Sequence, residues 1–158
     1  MPLQYITKYI WGPKIFSTAD VTGGITTNWK FKDNLMWLPW DQVFIAGFDE
    51  NMVQADIEVS AYGDVLSPRT GEFMGELGYI DTAPTGSVCI VDVEKNGTSI
   101  YSTKPQFAIG ANELTAGTLL TTTDPKIFDP YDRITFKVTQ VGSGTAGKGL
   151  RFALKCRV

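Results

Sequence analysis

The chain of 158 residues contains no histidine. That absence excludes a Ser-His-Asp triad, a Cys-His pair and every metal site that relies on imidazole. Cysteine is nearly absent too. Cys89 and Cys156 are the only two, too few for a structural zinc site. Both fall at inward positions of expected strands, so they read as reduced, buried, small apolar side chains. A disulfide would need their Cα atoms within ~7 Å, which spacing along the chain does not decide. No apolar run approaches the ~20 residues that cross a bilayer as a helix, and no membrane partner is expected. The opening Met1-Pro2-Leu3-Gln4-Tyr5-Ile6 has no basic region followed by an apolar stretch, so no signal peptide is expected. Positive charge is not in excess: the formal charge is −3 and the isoelectric point is near 4.9. Phosphate backbones require a basic face, so no nucleic-acid partner is expected. Finally, no segment holds a helical apolar period for about ten residues. Less than a tenth of the chain is expected to be helix.

Hydrophobic residues are abundant, at 43%, with 12% aromatics. A chain of this length and composition forms one domain with a sizeable core. Sixteen glycines and eight prolines are spread along the whole chain and punctuate it with turns. The organising stretch is residues 87–102. Cys89, Val91 and Val93 lie on one face of its first arm, with Val88, Ile90 and Asp92 on the other. Asn96-Gly97 supplies the residues that a two-residue type I′ turn needs, because both central positions require φ > 0. Ile100 faces inward again in the return arm. Asp92 and Glu94 are expected where the strand surfaces, and Ala83-Pro84-Thr85-Gly86 is the turn that feeds the hairpin.

Around that hairpin the sequence reads as short strands. Leu35 to Trp40 is an edge strand or strand end, because Pro39 lacks an N–H. Gln42 to Phe48 is a strand with Val43 and Ile45 on one face. Val53 to Ala61 alternates Val53, Ala55, Ile57 and Val59 against polar residues, as a half-buried antiparallel strand does. Residues 63–72 read as a polar loop, and Phe73 to Ile80 as a weaker strand broken by Gly75 and Gly78. Gln106 to Ile109 and Thr118 to Thr123 are strand-like, with a turn at Gly110 to Glu113. Ile134, Phe136 and Val138 alternate against Arg133, Thr135, Lys137 and Thr139. The last run is the sharpest: Leu150, Phe152, Leu154, Cys156 and Val158 face in, while Arg151, Ala153, Lys155 and Arg157 face out. Eight or nine antiparallel strands with turn signals between them predict an all-β, antiparallel β-sandwich of jelly-roll-like connectivity. The linkers at 63–72 and 124–132 are expected to cross between its two sheets.

Residues 1–34 differ from this domain at 35–158. They hold large apolar side chains without sustained alternation, and Gly12-Pro13 and Gly23-Gly24 interrupt them. They read as an N-terminal arm that lies across another subunit, and the alternative is a first strand and loop covering the same domain. The interface residues expected on the arm are Tyr5, Tyr9, Trp11, Ile15, Phe16 and Trp29.

Candidate chemistry is thin. Gly142 to Gly149 is glycine-rich but joins two strands, whereas a phosphate cradle leads into a helix N-terminus. Asp92 and Glu94 share a strand face, and at a strand end a solvated role outweighs a glycosidase pair. Asp124, Asp129 and Asp132 crowd one loop without the spacing of a dedicated calcium loop. Arg151, Lys155 and Arg157 form a basic stripe that reads as a solvated strand face rather than an anion site. No catalytic residue, cofactor or metal site is expected.

The run from Thr82 to Ser102, with Ala83-Pro84-Thr85-Gly86 before an Asp-Val strand and Lys95-Asn96-Gly97-Thr98 closing the hairpin, resembles a segment of virion proteins of tailed bacteriophages. Asp132 to Ser143, ending Gln140-Val141-Gly142-Ser143, is similar to a strand of the same family, and Leu150 to Val158 fits its final strand. The likeness spans residues 80–158, and Trp37 to Ala61 fits loosely. It departs at 63–72 and at the arm. The resemblance implies a small β-sandwich of capsid decoration, collar or tail structures. The expected function is therefore a non-enzymatic virion protein, a homo-oligomer cementing neighbouring capsid or tail subunits. The alternative is a receptor- or glycan-binding module of a tail fibre, with Trp11, Trp37 and Trp40 as stacking candidates.

Overall fold

The computed structural model describes residues 30–32, 35–37, 39–121 and 123–158. The chain divides into two units, Met1–Leu38 and Pro39–Val158. Within the first, β1 (Lys30–Lys32) and β2 (Leu35–Trp37) pair as an antiparallel hairpin.

The second unit is a sandwich of two antiparallel sheets, as the turn-punctuated sequence predicts. One sheet has β3 (Gln42–Ala46), β14 (Lys148–Arg157), β5 (Gly71–Thr82) and β12 (Ile127–Phe128), side by side in that order. The other has β4 (Ser60–Leu66), β13 (Arg133–Gln140), β6 (Cys89–Lys95), β9 (Gln106–Phe107) and β10 (Leu114–Thr115), again in that order. β7 (Thr98–Ser99) pairs with β6, and β8 (Tyr101–Thr103) forms a separate ladder with β11 (Thr118–Leu119). Successive long strands alternate between the sheets: β3 to β4, β4 to β5, β5 to β6, β13 to β14. That alternation is jelly-roll connectivity. The single described helical turn is α1 (Thr123–Lys126).

Aromatic rings join the two sheets. Phe136 of β13 stacks on Phe44 of β3 at 5.2 Å and meets Phe152 of β14 at 5.0 Å. Phe128 packs against Phe73 at 4.9 Å and Trp40 at 5.7 Å. Leu150, Phe152, Leu154 and Cys156 are all buried, as the alternation of the last strand predicts. Cys89 and Cys156 are both buried and unbridged. Burial pushes the Cys89 thiol up to about 11 and the Cys156 thiol up to about 12, the nearby Asp41 adding to the second.

The Asn96-Gly97 turn has φ of 51° and 85°, as a type I′ turn requires. The return arm is shorter than expected. Its ladder with β6 covers Thr98 and Ser99, the Ile100 N–H still donates to the Val93 carbonyl at 2.9 Å, and the chain then leaves to form β8.

Three local expectations need correction. Asp92 does not mark where the strand surfaces: it is 1% exposed. The Ser99 hydroxyl donates to its Oδ1 at 2.6 Å, and Lys104 lies 2.8 Å from Oδ2. A carboxylate is buried when its charge and lone pairs are met in this way. Residues 53–59 are not a half-buried strand. Val53 and Val59 are exposed and only Ile57 is deeply buried. An Asx turn at Asp49, whose Oδ1 accepts from the N–H groups of Asn51 and Val53, sets the path of this stretch. It then makes isolated bridges, Phe48 with Gln54 and Asp56 with Lys148, instead of a ladder. Residues 63–72 are not a loop. β4 runs through Gly63 to Leu66, β5 begins at Gly71, and only 67–70 cross between the sheets. Gly63 is inside the strand because the Phe44 ring lies over it, where a Cβ would come within 2.4 Å of the ring.

Candidate functional site

The outer faces of the two sheets differ in how their exposed side chains are grouped. On the β4–β13–β6 face, Arg133 pairs with Asp64 and Lys137 with Glu94. Asp64, Thr135 and Glu94 form one cross-strand row. A shallow groove of about 460 Å³ runs between these charges. The Arg133 guanidinium holds the Asp64 carboxyl below its ordinary value. Every charge named here is met by its opposite within the face.

The β3–β14–β5 face carries an exposed apolar patch beside the Arg151–Asp81 and Arg157–Glu72 pairs. Two rows cross its three strands, Ile45–Arg151–Tyr79 and Val43–Ala153–Leu77. Val43 is 69% exposed and Leu77 60%. Ile45, Tyr79 and Met74 also stand in solvent. Ala153 is the smallest of these side chains and occupies the middle strand. Val43 and Leu77 rise on either side of it. The result is a furrow of about 510 Å³ along β14, walled on the β5 side by Tyr79, Glu113 and Leu114. Arg151 closes one end. Its guanidinium donates to both oxygens of Asp81 at 2.9 Å and lies 5.0 Å from the centre of the Phe48 ring.

A bulge sets which β5 residues reach this face. Lys155 pairs with Gly75 and Cys156 with Phe73, so Met74 is the extra residue. Gly75 takes φ of 129°, open to glycine alone in practice. Phe73 and Glu76 therefore both point inward although three residues apart, and Met74, Leu77 and Tyr79 point outward. Gly75 and Gly78 thus lie within a continuous twelve-residue strand rather than breaking it.

The inward-pointing Glu76 anchors a buried polar cluster. Its Oε1 accepts from the Gly117 N–H at 2.6 Å and its Oε2 from the Tyr101 hydroxyl at 3.1 Å. Burial raises the Glu76 carboxyl above its ordinary value against the pull of those two hydrogen bonds and of Lys155. Burial first, and then Glu76, raise the Tyr101 phenol.

The expected interface residues Tyr5, Tyr9, Trp11, Ile15, Phe16 and Trp29 lie outside the described residues, as do the side chain of Trp37 and that of Asp124. Trp40 is half-buried with its ring against Phe128, a packing role rather than a stacking platform. In the 124–132 loop, Asp129 Oδ1 accepts from the Thr70 hydroxyl at 2.8 Å. Asp132 accepts from the Asp129 N–H at 2.8 Å and from the Asn96 amide at 2.7 Å. Among the described residues no group of three acidic or cysteine side chains is placed to hold a metal ion. The glycine-rich turn spends its N–H groups on the turn before β6: Gly144 and Thr145 donate to Thr85, and Ser143 to Ser87. Of the basic stripe, Arg151 is paired with Asp81 and Arg157 with Glu72.

No protein-family model matches the chain, and no curated protein matches it significantly.

The apolar patch went unread in the sequence. Its signal is β3, where Val43-Phe44-Ile45-Ala46 is apolar at both phases of the strand. One sandwich core explains only Phe44 and Ala46.

Proposed function

We infer that this chain is a non-enzymatic structural protein of a tailed-phage virion, seated on the capsid or tail surface and joining neighbouring subunits as a homo-oligomer. The observation that carries the reading is the apolar patch on the outer face of the β3–β14–β5 sheet. Beside its Arg151–Asp81 and Arg157–Glu72 pairs that face exposes Val43, Ile45, Leu77 and Tyr79 together, an apolar patch of the kind that a partner covers. Covering Val43 and Leu77 contributes ~2 kcal/mol each at usual transfer values. The likeness of Thr82 to Ser102 and Asp132 to Ser143 to segments of phage virion proteins supplies the setting.

The test is the composition and structure of the parent particle. Mass spectrometry of purified virions is expected to find the chain at a fixed copy number, and a cryo-EM map to show its β3–β14–β5 face against another subunit. A particle that lacks the chain overturns the reading.

A further inference from the structure

We propose that the furrow along β14 is the seat of the N-terminal segment, residues 2–29, of a neighbouring copy of this chain. The inference rests on the reading of this face as an interface and narrows it to one occupant.

The shape argues for a segment. Val43 and Leu77 lie on strands two apart, so the furrow is roughly 10 Å wide, the width of one extended chain with its side chains. Its floor is Ala153. A second sandwich laid flat across Val43 and Leu77 would bridge this depression and leave a void above Ala153, which close-packed interfaces avoid. Large side chains on a narrow support fill it.

The segment has the matching chemistry. Tyr5, Tyr9, Trp11, Ile15 and Phe16 are large and apolar, and its charges are Lys8, Lys14 and Asp20. On the furrow, Arg151 is already paired with Asp81, whereas Glu113 on the wall has no ion partner among the described residues. A carboxylate beside an apolar trough fits a segment in which each lysine is followed by a large apolar side chain, as Lys8 is by Tyr9 and Lys14 by Ile15. Reach is sufficient: the 29 residues before Lys30 span up to roughly 95 Å when extended, more than the breadth of a domain of this size.

The experiment uses the full chain. A photoreactive benzoylphenylalanine replaces Trp11, and the protein is mixed with wild-type chain labelled with heavy isotopes. After irradiation, mass spectrometry is expected to find residue 11 of the light copy joined to heavy peptides containing Val43, Leu77 or Ala153. Ala153→Trp in the heavy copy, which fills the furrow, is expected to reduce that product at least tenfold. Glu113→Lys, a milder change at the wall, is expected to reduce it several-fold. Products confined to the light copy, products outside the furrow, or a yield unchanged by both substitutions overturn the proposal. So does association in which only Leu77 and Val43 of two copies meet each other. None of these outcomes bears on whether the chain is present in virions.

Discussion

The Tyr101 hydroxyl donates to Glu76 Oε2 at 3.1 Å in the interior of the sandwich. Because Glu76 Oε1 also accepts from the Gly117 N–H, one carboxyl ties β5 to β8 and to the link between β10 and β11. Burial raises this carboxyl above its ordinary value of 4.5, so the folded state holds its proton more tightly than the unfolded state does. The stability this brings is fully present below pH 4.5 and is lost as pH rises through the higher folded value. Glu76→Gln keeps both contacts, its Oε1 accepting from Gly117 and its amide donating to the Tyr101 oxygen. The variant is expected to melt no lower than wild type at pH 7. Its advantage over wild type is expected to shrink as pH falls from 7 to 4, followed by thermal melts across that range. A variant advantage that grows on acidification contradicts the raised value.

Gly97→Val is expected to destabilise the protein by more than ~1 kcal/mol, since a β-branched residue resists φ > 0. A Cβ at Gly97 meets nothing within 4 Å, so the cost is one of backbone conformation rather than crowding. Denaturant titration of the variant measures it. An unchanged midpoint would mean that the turn relaxes.

The hairpin behind that prediction shows what was legible in the sequence. Asn96-Gly97, the alternation of β13 and that of β14 were readable because local φ preference and period two decide them. The all-β sandwich followed from their number and spacing. Residues 53–59 alternate as a strand does, yet alternation reports extended backbone and not a partner for it. Gly63-Asp64 looked like a turn because the ring that lies over Gly63 comes from β3, some twenty residues earlier. Asp92 looked exposed because Lys104 and Ser99, which neutralise and cap it, are brought to it only by the fold. The apolar patch on the outer face was hidden by a bulge: Met74, Leu77 and Tyr79 do not follow one simple alternation until Met74 is counted as the extra residue beside Gly75.

Cys89 and Cys156 are expected to resist alkylation in the native protein. Both thiols are buried and their thiolates are disfavoured well beyond pH 8. Iodoacetamide at pH 8 should leave both unmodified for hours and label both once denaturant is added. Rapid native labelling of either would contradict its burial.

Leu77→Asp is expected to leave the fold intact, with a stability change within ~0.5 kcal/mol, because the side chain is 60% exposed. It is expected to weaken self-association, seen in sedimentation velocity as a shift toward the monomer. Sedimentation identical to wild type would remove Leu77 from the interface.

The bridge between Pro39 and Arg157 gives the Pro39–Val158 unit a mechanical character. Its first and last strands, β3 and β14, run antiparallel from that point, with Gln42 opposite Leu154 and Ala46 opposite Leu150. Both ends of the unit therefore leave from the same corner. Tension drawn between them opens the ladder like a zip, one pair at a time from Arg157 toward Leu150, whereas load applied through the sheet face is shared by the whole ladder. Pulled by its two ends, the unit is therefore opened pair by pair rather than all at once.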